Sequence, residues 1–261
     1  MHVFFHIFGL TVPAYGLMIA TGIVVANVLV WRTLKKAGML YIDFILMEAY
    51  ALLLGFTGSK ILYCITAADT IDWSRIFDLE YFSELMSIGF VFYGGIIGGA
   101  LGVLIAAKAH KVEALKLVDL GVYGIPLAHG FGRVGCFFAG CCYGMHYDGP
   151  LSVVFPEGCG APPGVPLFPV QLVEASLLFI LALVLWLIGR TYKREDGFFP
   201  KCTVTYVIAY AVIRFVLEYF RDDAIRGIYG PFSTSQWISL AMVIAAIVYI
   251  VIAKRKRAVK H

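Results

Sequence analysis

The sequence predicts an all-α polytopic integral membrane protein with seven transmembrane helices, an N-terminus outside and a cytoplasmic C-terminus. Three observations predict this fold class. Of the 261 residues, 61% are hydrophobic and 15% are charged, whereas soluble proteins average about 45–50% and about 25%. The mean hydropathy of +0.85 describes the whole chain, so a single apolar anchor cannot account for it. The basic residues are concentrated in alternate gaps between the apolar stretches.

Seven apolar stretches each approach the length of about 20 residues that an α-helix needs to cross a bilayer. They are Leu10–Trp31, Ile42–Ile65, Ile88–Ala109, Leu117–Phe138, Val170–Ile188, Cys202–Phe220 and Trp237–Ala253. Fourteen of the 21 lysines and arginines lie in 32–40, 107–116, 190–196 and 254–261. The positive-inside rule assigns these four segments to the cytoplasm and the N-terminus to the outside. The net charge of +4 follows from this topology, and no nucleic-acid partner is expected.

The chain organisation predicts a single transmembrane helical domain over residues 1–261. Residues 1–10 contain no basic region and no small-residue cleavage site, so we expect no removable signal peptide. No repeat or linker divides the sequence, but two longer outward segments are predicted at about 67–87 and 141–169. The second contains Gly-Pro and Pro-Pro pairs. A loop of that length is predicted to act as a lid or a substrate-facing element.

Two arginines inside the predicted spans are the first candidates for function. A charge at the centre of a bilayer costs about 2.5–3.5 kcal/mol on insertion scales, so each needs a partner, a water-filled cavity or an anionic ligand. Arg214 has Glu218 four residues further along the same helix face. Arg133 has no acidic residue within one turn, so its partner lies elsewhere or is a ligand. We favour anion binding for Arg133, with a structural ion pair as the alternative, and leave both open for Arg214.

Glycines mark two of the predicted spans. Five of the sixteen residues at 129–144 are glycine. Such residues let helices approach closely, or break a helix where its backbone lines a cavity. In the third span, Gly94 and Gly95 beside Tyr93 are candidates for the wall of a site, whereas helix packing is sufficient to explain Gly98 and Gly99.

Six sequence elements in order resemble the prolipoprotein diacylglyceryl transferase family, and the resemblance covers nearly the whole chain. The elements are Ala14-Tyr15-Gly16-Leu17-Met18, Tyr93-Gly94-Gly95, Gly132-Arg133-Val134-Gly135 through Gly144, Pro169-Val170-Gln171-Leu172-Val173-Glu174, Arg214-Phe215-Val216-Leu217-Glu218-Tyr219-Phe220-Arg221, and Ser235-Gln236-Trp237. The resemblance implies a multi-pass enzyme of the bacterial cytoplasmic (inner) membrane. Such an enzyme transfers diacylglyceryl from phosphatidylglycerol to the lipobox cysteine thiol of a prolipoprotein and releases glycerol phosphate. The resemblance also implies that membrane lipid surrounds the protein and that the reaction needs no cofactor.

The resemblance implies most of the site residues, and the need for a base adds His129. Catalytic roles fall to Arg133, Arg214, Tyr93, Glu218 and His129. Substrate binding falls to Tyr15, Gly94, Gly95, Gly132, Cys136, Gly144, Gln171, Arg221 and Gln236. Arginines suit a reaction whose leaving group is a phosphate, because fixed guanidinium groups stabilise the negative charge that accumulates on it.

The sequence departs from the family pattern where the family usually has polar or titratable groups. The histidine of His-Gly-Gly is Tyr93 here. In the pattern Gly-Arg-Ile-Gly-Asn-Phe-x-Asn-Gly-Glu, the two asparagines and the glutamate are Cys136, Ala139 and Cys141. A base is still needed, because a thiol with a pKa near 8.5 is mostly protonated at neutral pH. His129 and Glu218 are candidates for that base, as is Tyr93 if a nearby cation lowers its pKa; for His129 the alternative is a helix-packing role.

These departures keep two other functions open: a transferase that uses phosphatidylglycerol with a different acceptor, and a non-catalytic lipid-binding paralogue. A transporter is disfavoured because the chain has no inverted repeat.

Four of the six cysteines, Cys136, Cys141, Cys142 and Cys159, lie at or beyond the outward end of the fourth span. We favour a disulfide from Cys159 to Cys141 or Cys142, which would hold the long outward loop in place. A metal site with His146 ranks second, because the spacing is not a standard zinc pattern. A cysteine that carries a covalent intermediate ranks third. No metal is assigned to the site on this basis.

Overall fold

A computed structural model describes residues 4–7, 10–87, 91–191, 199–222 and 228–258. The helices are α1 (Ala14–Lys36), α2 (Tyr41–Thr66), α3 (Leu79–Ser87), α4 (Phe92–His110), α5 (Ala114–Gly121), α6 (Gly124–Ala139), α7 (Val170–Arg190), α8 (Lys201–Leu217) and α9 (Thr234–Ala258), with 3₁₀ turns at Trp73–Arg75 and Glu218–Phe220. Three short antiparallel hairpins pair β1 (Phe4–Ile7) with β2 (Leu10–Pro13), β3 (Val153–Val154) with β4 (Pro166–Leu167), and β5 (Ile228–Tyr229) with β6 (Phe232–Ser233).

The prediction of a mostly helical membrane protein is confirmed. Among the described residues, five helices are long and apolar enough to cross a membrane: Ala14–Lys36, Tyr41–Thr66, Val170–Arg190, Lys201–Phe220 and Thr234–Arg255. The third and fourth predicted spans are also helical, as α4 and as α5 followed by α6. A count of seven spans stays a prediction.

Two predicted boundaries are wrong. Residues 10–13, placed in the first span, form strand β2, and the helix begins only at Ala14, directly after Pro13. The fourth span is interrupted at Val122 and Tyr123. Gly121 and Gly124 flank this break, and glycine weakens a helix interior. The Tyr123 hydroxyl hydrogen-bonds to Thr33 Oγ1 at 2.8 Å, which ties the turn to α1.

The chain divides into two compact units. The first comprises residues 1–36 and 119–261. Within it, α6 packs against both α1 and α7, and α8 packs against α7 and α9. Glycines permit the close packing of α6, because a Cβ on Gly130 would lie 2.5 Å from the Phe179 ring and one on Gly135 would lie 3.2 Å from the Tyr15 backbone. Every charged residue of the candidate site below belongs to this unit.

The second unit comprises residues 37–118, and its main contact is between α2 and α4. A Cβ on Gly94 would clash with the carbonyl oxygen of Gly58, and one on Gly98 would clash with that of Leu54. Glycines spaced by four residues therefore let the two helix backbones touch. This packing accounts for the presence of glycine at position 94 as well as at position 98.

The glycine contact gives a prediction with an internal control. We expect Gly98→Ala to lower the thermal stability of the detergent-purified protein, because the added methyl meets backbone atoms that cannot rotate away. Gly99→Ala is the matched control, since its Cβ would lie 3.6 Å from the nearest atom, and alanine is about 1 kcal/mol better than glycine in a helix. Equal melting temperatures for the two variants would contradict this account of the α2–α4 contact.

The segment 141–169, which is predicted to face outward, has a small apolar core of its own. Phe155, Ala161 and Leu167 are buried there, and Phe137 at the end of α6 packs against them. The hairpin of β3 and β4 and an isolated bridge between His146 and Leu167 close the segment. These contacts attach the segment to the end of α6, and its function as a lid stays a prediction.

Candidate active site

A fully buried carboxylate lies at the centre of the candidate site. Glu174, one turn into α7, has no exposed surface. Its Oε2 lies 3.1 Å from Arg133 Nε and 3.8 Å from Arg221 Nη1. Its Oε1 lies 3.9 Å from His129 Nε2. Helix α6 supplies His129 and Arg133, and the residue after the 3₁₀ turn supplies Arg221, so two segments distant in sequence bring three basic groups to the carboxylate on α7.

A second ion pair is formed at the end of α8. Arg214 Nη2 lies 2.6 Å from Glu218 Oε2 and donates a hydrogen bond to Ser235 Oγ at 3.2 Å. Glu218 Oε1 in turn accepts a hydrogen bond from the Ser233 hydroxyl at 2.8 Å. This is the ion pair that the four-residue spacing makes available, one of the two alternatives left open for Arg214. The other terminal nitrogen of Arg214, Nη1, is buried and has no hydrogen-bond partner among the described residues.

Buried guanidinium groups converge at the site. Arg133, Arg214 and Arg221 are at most 14% exposed at their side chains, and Glu174 faces Arg133 and Arg221 while Glu218 faces Arg214. A buried guanidinium donor that no described residue satisfies, such as Arg214 Nη1, favours the binding of an anion.

The backbone around Arg221 is fixed by a contact with Gly144. These two residues form an isolated antiparallel bridge, and the Met145 amide donates a hydrogen bond to the Phe220 carbonyl at 2.9 Å. A Cβ on Gly144 would lie 2.8 Å from the same Phe220 oxygen. Gly144 is therefore a close-approach residue that positions Arg221.

The two predicted glutamines make structural hydrogen bonds close to the charged groups. Gln171 is buried one turn before Glu174 and donates through Nε2 to the Cys141 carbonyl at 2.9 Å. Gln236 is buried at the start of α9, where its Oε1 accepts from the Ser233 amide at 3.0 Å. Each glutamine thus braces the segment that carries a site residue.

The remaining predicted residues are divided between the two units. In the first unit, Tyr15 is 43% exposed and packs on Gly135, and Gly132 lies on α6 next to Arg133. In the second unit, Gly94 is buried and Gly95 is half-buried on α4. Tyr93 belongs to the same helix, but its side chain lies outside the described residues.

Glu174 is absent from the predicted site residues, although it ends one of the family-like elements. Glu174 is the only acidic residue in the predicted span Val170–Ile188. The rule that drew attention to the two arginines, that ionisable groups inside spans are functional candidates, would have identified it.

The cysteines near the site are arranged differently from the prediction. All six cysteines are free thiols, so the structure lacks the favoured bridge from Cys159, whose thiol contacts the Pro156 carbonyl at 3.0 Å. Instead, the sulfur atoms of Cys136, Cys141 and Cys142 lie within 4.8 Å of one another. Hydrogen bonds from the other two thiols, together with the charges of Arg221 and Arg133, lower the pKa of Cys142.

Comparison with known proteins identifies the family. The sequence model of the family described as prolipoprotein diacylglyceryl transferase matches residues 2–252. The chain is 41% identical over 254 residues to phosphatidylglycerol–prolipoprotein diacylglyceryl transferase 2 of Clostridium perfringens, covering 96% of this chain and 94% of that protein. It is 38% identical to the transferase of that name from Clostridium tetani, over 94% of each chain, and 30% identical to that of Geobacter sulfurreducens, over 98% and 96%. The chain therefore belongs to the prolipoprotein diacylglyceryl transferase family.

Proposed function

We propose that this chain transfers the diacylglyceryl group of phosphatidylglycerol to the lipobox cysteine thiol of a prolipoprotein and releases glycerol phosphate. The names of the relatives include this donor and this class of acceptor. The observation that carries the proposal is the convergence of the buried Arg133 and Arg214 side chains, with Arg214 Nη1 lacking a hydrogen-bond partner among the described residues. The leaving group of this reaction is a phosphate, whose negative charge increases as the bond to the diacylglyceryl carbon breaks. Arginines held in position stabilise that charge without reorganising.

Arg133 and Arg214 are the residues we propose for this stabilisation. Arg133 is held to Glu174 through Nε, and a guanidinium group bound on one side can still present other donors to phosphate oxygens. The buried, unpartnered Nη1 of Arg214 supports a polar ligand at this site, because leaving such a donor unpaired costs about 1–3 kcal/mol or more. Glu174 is then a positioning residue for Arg133 and Arg221.

The contacts of the predicted bases indicate which of them can accept the proton of the acceptor thiol. Glu218 is already engaged by Arg214 and Ser233, which supports a positioning function for it. His129 is half-buried, with Nε2 3.9 Å from Glu174 Oε1 and its ring edge-on to Tyr210 at 5.6 Å. Of these two side chains, His129 is the better candidate to accept the proton of the acceptor thiol. Tyr93 also stays a proposed base.

For the membrane topology, we propose one transmembrane domain of seven spans in the bacterial inner membrane, with an outward N-terminus and a cytoplasmic C-terminus. The distribution of fourteen basic residues over alternate connections supports this arrangement. The outward ends of the spans then carry Arg221 and the segment 141–169. A lipoprotein precursor would present its cysteine on that side.

A second candidate function is transfer from phosphatidylglycerol to a different acceptor. It is favoured by Cys136, Ala139 and Cys141, which replace amide and carboxyl groups of the family pattern close to Arg133. In this function the arginines still bind the phosphate of phosphatidylglycerol, and the neighbouring residues bind an acceptor with a different nucleophilic group.

The experiment that separates these functions uses purified protein in detergent with phosphatidylglycerol labelled in its acyl chains. We expect a labelled thioether product when a lipobox peptide is added. A peptide with serine in place of the lipobox cysteine is the matched control and should remain unlabelled. Labelled product that appears without the cysteine peptide would support the second function, and lipid binding without any product would contradict both.

A further inference from the structure

The thiols of Cys136, Cys141 and Cys142 converge at the end of α6. Their sulfur atoms all lie within 4.8 Å of one another. Cys136 is buried in the helix, while the other two are half-buried just beyond it. Gly140 with φ +68° and Cys142 with φ +56° turn the chain back on itself, and Gln171 holds the Cys141 carbonyl. A left-handed conformation is uncommon for a cysteine, and here it contributes to bringing the third thiol to the other two.

The spacing of the three sulfur atoms is close to that of a zinc site. With Zn–S bonds of about 2.3 Å, sulfur atoms around one zinc ion are roughly 3.8–4.0 Å apart. A contraction of less than about 1 Å would bring these thiols to that spacing. Cys159 is not a member of the cluster, and its thiol contacts the Pro156 carbonyl instead. The described residues thus offer three ligands, the number that catalytic zinc sites use while keeping a fourth position open.

The charges around the three thiols favour a metal site over a cluster of buried neutral thiols. Three thiolates carry more negative charge than one zinc ion neutralises. The positive charges of Arg133 and Arg221, which also face Glu174, act on Cys142 and lower the cost of the remainder. The same arginines connect the thiol cluster to Glu174 and to the proposed phosphate site.

We propose that Cys136, Cys141 and Cys142 bind a zinc ion whose open fourth position takes the acceptor thiol as its thiolate. The proposal rests on the function proposed above. The acceptor's S–H bond breaks on coordination, and its proton passes to His129, the base proposed above, and from there to solvent water. The thiolate then forms a bond to the diacylglyceryl carbon, and the carbon–oxygen bond to phosphate breaks with its electron pair on the leaving glycerol phosphate. The product is a neutral thioether, a weaker ligand than a thiolate, and it leaves the zinc ion.

The family pattern has a histidine at the position of Tyr93, and this chain lacks it. The zinc site would give the chain another means of ionising the acceptor thiol. A thiol bound to zinc is deprotonated outright, and the thiolate is the nucleophilic form. Two of the three ligands, Cys136 and Cys141, stand at positions where the sequence departs from the family pattern.

The first test measures binding without substrate. Protein purified with a reductant and stripped by a chelator should bind one zinc ion per chain, and one cadmium ion with the ultraviolet charge-transfer absorbance of thiolate ligands. Cys136→Ser, Cys141→Ser and Cys142→Ser should each lose that absorbance. Cys159→Ser is the matched control and should keep it. A wild-type chain that binds neither ion, or ligand variants that bind as well as wild type, would overturn the proposal, as would a disulfide among the three thiols in protein isolated from membranes.

The second test separates the metal site from the proposed function. A free thiol with a pKa near 8.5 is about 3% ionised at neutral pH, so zinc removal should lower transfer to the lipobox peptide by up to roughly thirty-fold. Added zinc should restore it. Full transfer by the stripped protein would overturn the zinc proposal and leave the transferase function intact. Stoichiometric zinc binding without any thioether product would instead overturn the transferase function, and with it the acceptor position on zinc.

Discussion

Arg133→Gln is expected to abolish measurable diacylglyceryl transfer while the protein still inserts into membranes. Removal of one preorganised donor to a developing anion costs about 10²–10³-fold in rate in enzymes where this has been measured, and Arg133 is proposed to supply a full charge in addition. Arg133→Lys should recover only part of the activity, because lysine keeps the charge but loses the forked pair of donors. The measurement is the initial rate of transfer from labelled phosphatidylglycerol to a lipobox peptide, with protein amounts matched.

The matched control for Arg133 is Arg190→Gln at the far end of the neighbouring helix α7. Arg190 is exposed and its guanidinium stacks over Trp186, with 4.9 Å between its central carbon and the ring centroid. This variant should transfer at the wild-type rate. An Arg133→Gln protein with normal turnover would contradict the assignment of Arg133 to the phosphate.

Much of the helical architecture could be predicted because it depends on local composition. The stretch Val170–Ile188 is apolar almost throughout, and α7 coincides with it to within two residues. The ion pair of Arg214 with Glu218 was predictable for the same reason, since residues four apart on a helix are neighbours whatever the rest of the fold does. Interactions between residues within one or two turns of the same helix can therefore be inferred from the sequence.

The parts of the site that could not be predicted depend on contacts between distant segments. Arg133 and Glu174 lie 41 positions apart, and only the packing of α6 on α7 brings them together. The thiol cluster depends on the left-handed conformation of Cys142, which a cysteine at that position does not indicate. The predicted disulfide requires the long loop to bring Cys159 to Cys141 or Cys142, whereas the turn after α6 brings Cys141 and Cys142 to Cys136.

Glu174→Gln is expected to reduce both stability and transfer, because it removes the carboxylate that Arg133 and Arg221 face. Removal of one partner of a buried ion pair costs about 3–5 kcal/mol in proteins where it has been measured. The melting temperature in detergent should fall, and the rate should fall with it because Arg133 loses its anchor. Glu157→Gln, at an exposed acidic residue of the segment 141–169, is the matched control and should change neither quantity.

The double variant Arg133→Gln with Glu174→Gln decides between a ligand-binding and a purely structural function for this pair. Two neutral amides leave no unpaired charge between these positions, so the double variant should melt at a higher temperature than Glu174→Gln alone. Transfer should nevertheless stay absent, because the guanidinium proposed to face the phosphate is gone. If the pair served only to hold α6 against α7, transfer would return together with stability. Recovery of the rate in the double variant would therefore assign Arg133 to the scaffold and leave phosphate recognition to Arg214 and Arg221.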